Sequence, residues 1–217
     1  GSEHPLGEAI RERSESEEID YLSVTDFQAI PGHGLSVKVE GRSIWLGNAR
    51  LMAGRGALPD GNAPAVEELE RQGKTVMFMA DEAGLLGALA VADTVKETSR
   101  AAIEALRAMG IEVYMVTGDN RRTAQAIAEQ VGGGHVLAEV LPDQKAGMVE
   151  ELRAGGNIVG MVGDGINDAP ALAAADVGFA IGTGTDVVME AADVTLMRGD
   201  LMSVADSIRL SRATMRK

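Results

Sequence analysis

The chain has 217 residues, of which 45% are apolar, and a formal net charge of −13 at pH 7. This apolar fraction is sufficient for a globular core, and the length suits one large domain or two small ones. The negative charge argues against nucleic acid and anionic membrane surfaces as partners, because both repel it at long range. The absence of cysteine excludes disulfides and thiolate metal sites. No stretch reaches the roughly 18 apolar residues of a membrane span, so we expect a soluble piece.

The sequence pattern of the first 91 residues predicts a small α+β domain. Pro5 marks the start of a helix, and a second short helix is predicted over residues 65–72. Short β-like runs predict strands at residues 24–30, 35–39, 43–46, 75–80 and 85–91. Residues 40–42 form a tight reversal of the kind that joins a hairpin. We therefore expect residues 1–91 to form a domain around an antiparallel sheet.

Residues 92–217 alternate between strand and helix patterns. Thr94 and Glu97 have the spacing of a capping box, and Gly110 ends the helix that they would open. Further helices are predicted after Asn120, at Pro142 and from Leu201 onward. Strands are predicted at residues 111–116, 136–138, 158–162, 177–181 and 194–197. This alternation predicts one parallel sheet with helices on both faces, and residues 93–96 are the expected hinge between the two domains.

Two carboxylates follow the apolar run at residues 158–162. Asp164 and Asp168, with Asn167 between them, come where the predicted strand ends. Ligands bind at this edge of an open parallel sheet. Carboxylates at this spacing suit Mg²⁺, which usually shares them with a phosphate. An ordinary Asx-rich turn is the simpler alternative for this loop taken alone.

Two further polar clusters are predicted at the same edge. Thr117-Gly118-Asp119 follows one strand, and Lys145 lies at a helix start. A hydroxyl, a backbone amide at a helix N-terminus and a lysine can together hold phosphate oxygens. Taken singly, Thr117 could be a helix N-cap and Lys145 a solvated surface charge. The ordered co-occurrence of three clusters favours a phosphate site, whereas the isolated His33 and His135 are expected to be structural or solvent-facing.

The runs Met115–Asn120, Pro142–Lys145 and Met161–Pro170 resemble the phosphorylation domain of P-type cation-transporting ATPases. These belong to the haloacid dehalogenase-like superfamily, so the resemblance implies a Rossmannoid α/β fold for residues 92–217. All three motifs occur in the family's order, and the resemblance extends over essentially the whole chain. It implies that Thr117 contacts the phosphoryl group and that Lys145 neutralises it.

The resemblance also implies the remaining site residues of this domain. The implied catalytic residues are Thr117, Gly118, Asp119, Lys145 and Asn167. The implied Mg²⁺ ligands are Asp164 and Asp168. Phosphoryl transfer in such a site rests on placement and on charge stabilisation.

The first half resembles the nucleotide-binding domain of the heavy-metal branch of this family. The resemblance lies in Ser2–Leu6, Gly32-His33-Gly34 and Gly47-Asn48, and it implies that His4 orients ATP. The implied ATP-contacting residues are Glu3, His4, Pro5, Gly32, Gly34, Gly47 and Asn48. The stretches Asp26–Gln28 and Gly47–Met52 are more similar to copper exporters than to zinc or cadmium exporters.

The family's phosphoryl acceptor is an aspartate in an Asp-Lys-Thr-Gly-Thr motif, and this motif does not occur in the chain. The resemblance therefore implies a piece that lacks the phospho-aspartate strand and is inactive alone. It implies ATP and Mg²⁺ as cofactors, and a location at the cytoplasmic face of a membrane. The transmembrane and actuator parts of the same polypeptide are the expected partners, and the transported metal ion would bind outside this piece.

Other functions stay open from the sequence. Zinc, cadmium and potassium pumps are alternatives to a copper pump. The motifs do not identify the transported ion, because its ligands lie in membrane helices that are absent from these residues. A nucleotide-binding module without catalysis would keep the ATP contacts and lack the nucleophile. A soluble phosphatase of the same superfamily is disfavoured, since such enzymes need the nucleophilic aspartate and lack the nucleotide-binding elements.

Overall fold

The computed structural model describes residues 5–57, 63–92, 94–164, 168–182 and 186–215. Contacts divide the chain into two compact units, Gly1–Asp93 and Thr94–Lys217. The first unit is built on an antiparallel sheet and the second on parallel strands, which confirms the predicted fold class. Among the described residues, no helix is long and apolar enough to cross a membrane.

The described part of the first unit contains an antiparallel sheet in which each strand pairs with the next along the chain. Its strands are β1 (Val24–Ile30), β2 (Gly34–Val39), β3 (Arg42–Gly47), β4 (Lys74–Asp81) and β5 (Gly84–Ala92). The predicted hairpin joins β2 to β3, with Val39 paired to Arg42. Glu40 and Gly41 between them have φ angles of 49° and 81°. Positive φ at both central residues is typical of the type I′ turn, whose twist matches that of the strands.

The helices of this unit are α1 (Pro5–Ser16), α2 (Ala49–Gly54) and α3 (Ala63–Arg71). Helices α2 and α3 contribute side chains to the core on one face of the sheet. Met52 of α2 and Ala80 of β4 are fully buried, and Val76 and Phe78 point to the same face of β4. The alternation Val76, Phe78, Ala80 is the period-2 pattern of a strand with one face in a core. The resulting core fixes α2 beside the carboxyl end of β3.

The second unit contains parallel strands that alternate with helices. The strands are β6 (Tyr114–Val116), β7 (His135–Leu137), β8 (Gly160–Gly163), β9 (Val177–Ile181) and β10 (Val194–Leu196). The helices are α4 (Glu97–Ala108), α5 (Arg121–Gln130), α6 (Lys145–Ala154), α7 (Ala169–Ala174), α8 (Asp186–Ala191) and α9 (Met202–Met215), and a 3₁₀ turn over Pro142–Gln144 precedes α6. Parallel pairing joins β8 to β9, β9 to β10, and β6 to β7.

Helices cover both faces of the β8–β10 sheet, as predicted. Phe179 packs with Leu106 of α4 and Val204 of α9. The next residue, Ala180, packs with Leu172 of α7. Because successive strand residues face opposite sides, these two contacts show that α4 and α9 cover one face and α7 covers the other.

Three predictions for this unit were wrong in detail. The described parallel strands form two sheets, β10-β9-β8 and β6-β7, where one continuous sheet was expected. The strand predicted from residue 111 begins at Tyr114, since residues 111–113 pair with no described strand. Helix α4 begins at Glu97 after Lys96, with no side-chain cap, so Thr94 does not form the predicted capping box. Asp93 of the predicted hinge lies outside the described residues.

Candidate functional site

The loop after β8 brings two carboxylates to the carboxyl end of the strand. Asp164 is exposed directly after β8, and Asp168 is 8% exposed at the start of α7. A Cβ atom on Gly163 would lie 2.7 Å from the Cβ atom of Asp168. Glycine at this position is therefore what lets Asp168 pack against the strand. Asn167, which the sequence predicts to be catalytic, lies outside the described residues.

Lys145 lies against the same loop. Its Nζ atom donates a hydrogen bond to the Oδ1 atom of Asp168 at 2.7 Å, and the two side chains are 20% and 12% exposed. The alternative that Lys145 is a solvated surface charge is therefore wrong. A half-buried ion pair fixes the position of both groups, because separating them would leave a poorly solvated charge. Asp168, predicted as a metal ligand, thus also orients Lys145.

The Thr117 loop follows β6 and is held by its own side chains. The Thr117 hydroxyl donates to the Oδ2 atom of Asp119 at 2.8 Å, and the Asp119 backbone N–H donates to the Thr117 hydroxyl oxygen at 3.1 Å. The N-cap of α5 is Asn120, whose Oδ1 atom accepts from the backbone N–H groups of Arg122 and Thr123. The alternative that Thr117 is the N-cap is therefore wrong. Its hydroxyl is positioned at the end of a strand by an acidic neighbour.

Backbone hydrogen bonds join the Thr117 loop to the segment after β7. The Thr117 N–H donates to the Leu137 carbonyl at 3.0 Å, and the Val140 N–H donates to the Thr117 carbonyl at 3.0 Å. The Glu139 N–H donates to the Asp119 carbonyl at 2.8 Å. Glu139 has a φ angle of 61°, which non-glycine residues seldom adopt. These bonds fix the backbone of all three predicted residues, Thr117, Gly118 and Asp119.

A cavity of about 350 Å³ lies at this edge of the second unit. Its lining includes Val116 from β6 and Gly163 from β8, together with Lys145, Asp164 and Asp168. Two of the three predicted clusters therefore line one cavity, and the third, Thr117-Gly118-Asp119, begins directly after the lining residue Val116. Four other lining residues belong to none of the sequence motifs, namely Lys96, Ser99, Gly199 and Leu201. Another cavity of this unit, of about 390 Å³, contains none of the predicted site residues.

The carboxylates of this cavity fit Mg²⁺. Among the described residues, no cluster of three or more His, Asp or Glu side chains could hold a metal by itself. Asp164 and Asp168 supply hard oxygen donors on one loop, and Mg²⁺ commonly binds one or two carboxylates while keeping water and substrate oxygens. The donor set therefore suits an ion shared with a phosphate.

In the first unit, the turn at residues 32–34 lies against the end of β3. A Cβ atom on Gly34 would lie 2.1 Å from the Leu46 carbonyl oxygen, and one on Gly47 would lie 2.1 Å from the His33 carbonyl oxygen. The two backbones therefore approach closely because both residues are glycine.

Asn48 completes this turn. Its Nδ2 atom donates to the Gly32 carbonyl at 2.9 Å, and its Oδ1 atom accepts from the Leu51 N–H at 3.1 Å as the N-cap of α2. The structure thus brings together four of the predicted nucleotide-contacting residues, Gly32, Gly34, Gly47 and Asn48. Glu3 and His4 lie outside the described residues, as does the Pro5 side chain, although Pro5 begins α1 as predicted.

The isolated histidines have local partners. A ring nitrogen of His33 lies 2.9 Å from the Pro31 carbonyl oxygen. The His135 ring stacks on Tyr114, with ring centroids 4.5 Å apart. Both rings therefore have a partner within the chain, and a structural or solvent-facing role for them stays a prediction.

Parallel strands with a lysine–aspartate pair, a second aspartate and a Thr-Gly-Asp loop at their carboxyl ends define an α/β protein with a phosphate-type site. The chain belongs to the haloacid dehalogenase-like hydrolase family, which it matches over residues 1–176.

Two similar curated proteins are copper-exporting P-type ATPases. The one from Bacillus subtilis (strain 168) is 50% identical over 216 residues, covering 100% of this chain and 27% of the relative. The one from Staphylococcus aureus (strain JH9) is 49% identical, covering 99% of this chain and 27% of the relative. The chain therefore spans about a quarter of the length of these relatives.

Two solved structures are similar in fold. A zinc-transporting PIB-type ATPase in its E2.Pi state has a TM-score of 0.64 and 36% identity, covering 100% of this chain and 35% of that one. The catalytic domain of the CPx-ATPase CopB-B has a TM-score of 0.72 and 24% identity, covering 95% of this chain and 73% of that one. The second likeness shows the fold alone.

Proposed function

We propose that the chain is the ATP-binding and phosphoryl-transfer part of a heavy-metal-exporting P-type ATPase, located at the cytoplasmic face of the membrane, with Cu(I) as the exported ion. The observation that carries the proposal is the cavity where the Lys145–Asp168 pair, Asp164 and the end of β6 meet. The names of the curated relatives support copper. The residues 1–91 and 92–217 are then the nucleotide-binding and phosphorylation domains.

The proposed chemistry is transfer of the ATP γ-phosphoryl group to an aspartate, followed by hydrolysis. Lys145 would place its charge on the phosphoryl oxygens, and Asp168 would hold Lys145 in that position. The Thr117 hydroxyl and the Gly118 backbone amide would donate to the same oxygens, with Asn167 as a further donor. Bound Mg²⁺, held by Asp164 and Asp168, would supply charge neutralisation. Catalysis would thus rest on placed donors and cations.

The acceptor aspartate has no counterpart among these 217 residues, since the sequence contains no Asp-Lys-Thr-Gly-Thr motif. We infer that it belongs to another part of a longer polypeptide, together with the transmembrane and actuator parts. The cavity lined by residues of both β6 and β8 supports this inference, because an acceptor there would face Lys145 and Asp164.

ATP would bind to the first unit at the turn of residues 32–34. The close contact between Gly34 and Gly47 supports this assignment, because a side chain at either position would displace the backbone that faces the ligand. His4, Glu3 and Pro5 would complete the nucleotide site.

The test is Mg²⁺-dependent binding of orthophosphate to the purified chain, followed by calorimetry. Asp164→Asn should weaken binding about tenfold, because a charged oxygen ligand is replaced by a neutral one. Glu150→Gln is the matched control, since Glu150 is an exposed acid of α6 outside the cavity lining. Unchanged binding by Asp164→Asn, with an unchanged melting temperature, would remove Asp164 from the site.

The ion is tested in the full-length transporter. Copper-dependent stimulation of its ATPase activity, exceeding stimulation by Zn²⁺ or Cd²⁺, is the expected result. Stimulation by Zn²⁺ alone would assign the chain to a zinc exporter and leave the phosphoryl-transfer proposal intact.

A further inference from the structure

Lys96 lines the same cavity from a different element. It is the N-cap residue of α4, and its Nζ atom donates to the backbone carbonyl of Gly199 in the segment that follows β10. Ser99, one turn further along α4, also lines the cavity. Lys96 is exposed, so its ammonium group has access to whatever enters the cavity.

The two lysines of the cavity differ in how their charges are balanced. Lys145 is paired with a carboxylate, Asp168, at 2.7 Å. The acceptor for Lys96 is a neutral carbonyl, so its positive charge remains available to the cavity. Asp164 is exposed and forms no hydrogen bond or ion pair with the described residues. Among the described residues, the cavity lining thus has one ion pair, Lys145–Asp168, and two charged groups without an ion-pair partner, Lys96 and Asp164.

We propose that Lys96 is a second phosphate-binding cation of this site, which releases the Gly199 carbonyl and binds a phosphoryl oxygen opposite Lys145. This inference rests on the proposed function, because it assumes that a phosphate enters the cavity. A phosphate at neutral pH carries about two negative charges.

Charge balance supports this role. Mg²⁺, Lys145 and the two aspartates together have a formal charge of plus one, which leaves a phosphate of about two negative charges incompletely neutralised. The ammonium group of Lys96 supplies the missing charge. In a chain with a net charge of −13, a bound phosphate whose charge is only partly neutralised would be strongly disfavoured.

Hydrogen-bond strength also favours the movement of the Lys96 ammonium group from the Gly199 carbonyl to a phosphate oxygen. A bond between an ammonium and a charged phosphate oxygen is roughly twice as strong as one to a neutral acceptor. A lysine ammonium has three donors on a flexible stem, so it can leave a carbonyl at little conformational cost. The bond to Gly199 therefore represents the resting position of a mobile cation.

The test compares orthophosphate binding, in the presence of Mg²⁺, between the chain and four variants. Lys96→Gln keeps a donor for the Gly199 carbonyl and removes the charge, and Lys96→Arg keeps both. Arg100→Met is the matched control, since Arg100 lies one turn along α4 and pairs with Glu104 outside the cavity lining. Lys145→Ala reports on the proposed phosphate site itself.

We expect Lys96→Gln to weaken phosphate binding about tenfold and to reduce its salt dependence, while Lys96→Arg and Arg100→Met stay within about twofold. Melting temperatures identify any variant that loses its fold. If Lys96→Gln does so, Lys96→Met takes its place, because it also removes the charge. If Lys145→Ala loses binding and Lys96→Gln does not, the role of Lys96 is refuted and the proposed function stands. Equal losses in Lys96→Gln and Arg100→Met would show a long-range charge effect and would also refute the role. Absence of phosphate binding by the unmodified chain would refute both.

Discussion

At the scale of single residues, the paired glycines Gly34 at the start of β2 and Gly47 at the end of β3 lie under a strong steric constraint. Gly34 has a φ angle of 144°, and its missing side chain leaves room for the Leu46 carbonyl oxygen. Gly34→Ala should destabilise the chain by about 3 kcal/mol, because the backbone must move to admit the new atom. Thermal unfolding measures this loss, and nucleotide affinity should fall with it.

Gly87→Ala is the matched control for this substitution. Gly87 lies in β5, and a Cβ atom added there would meet no atom within 4 Å. The variant should melt at or slightly above the temperature of the parent chain, because alanine reduces the entropy of the unfolded state. Equal losses for the two variants would show that the turn of residues 32–34 is not sterically special.

Asp81 provides a prediction about pH. The backbone N–H of Ala83 holds the pKa of the buried Asp81 carboxyl below its ordinary value, with help from Arg42, although burial opposes the shift. Because folding lowers this pKa, the ionised Asp81 carboxylate stabilises the folded chain at pH values above about 4, which is the pKa of an aspartate in the unfolded chain. This stabilisation is lost as the pH falls through the pKa of Asp81 in the folded chain. Asp81→Asn should therefore melt lower than the parent at pH 7, with a smaller difference at pH 3. A difference that does not shrink in acid would contradict this linkage.

At the scale of elements, Phe179 of β9 joins the sheet to two helices. It is 7% exposed and packs with Leu106 of α4 and Val204 of α9. Phe179→Ala should destabilise the chain by about 3–5 kcal/mol, because it removes a large buried group and leaves a cavity. Denaturant unfolding measures the loss. Phe27→Ala, at a residue that is 54% exposed on β1, should cost far less, and a similar cost would contradict the assigned core.

Most elements followed from sequence patterns, and the exceptions have physical causes. Strand β1 matches its predicted residues because turn residues bound a short β-like run. Helix α2 was not predicted, since six residues are too few to show a helical period, although Asn48 was a usable N-cap signal. Strand β6 is shorter than its apolar run because it pairs only with the three residues of β7.

The residues of the candidate site could be predicted from the sequence, but the contacts between them could not. Lys145, Asp164 and Asp168 were identified from their motifs. The contact between Lys145 and Asp168 joins residues 23 positions apart, and no local pattern specifies it. Lys96 enters the cavity because the start of α4 lies beside Gly199, which is a tertiary contact that spacing along the chain does not reveal.

At the scale of the whole molecule, we expect the chain to bind ATP and phosphate without forming a phosphorylated intermediate by itself. Because the sequence contains no Asp-Lys-Thr-Gly-Thr motif, incubation with ATP and Mg²⁺ should produce no acid-stable phosphorylated chain. Intact-mass spectrometry after acid quenching checks this expectation. A mass increase of one phosphoryl group, retained in acid, would show an acceptor within the chain and would require a different mechanism.

Calorimetric titration with a nonhydrolysable ATP analogue, with and without Mg²⁺, shows whether this chain binds ATP. We expect saturable binding to the chain and its loss in His4→Ala, with the melting temperature unchanged. Binding that is unaffected by His4→Ala would contradict the assignment of the nucleotide to the first unit. No binding by the chain at all would contradict the proposal that it binds ATP.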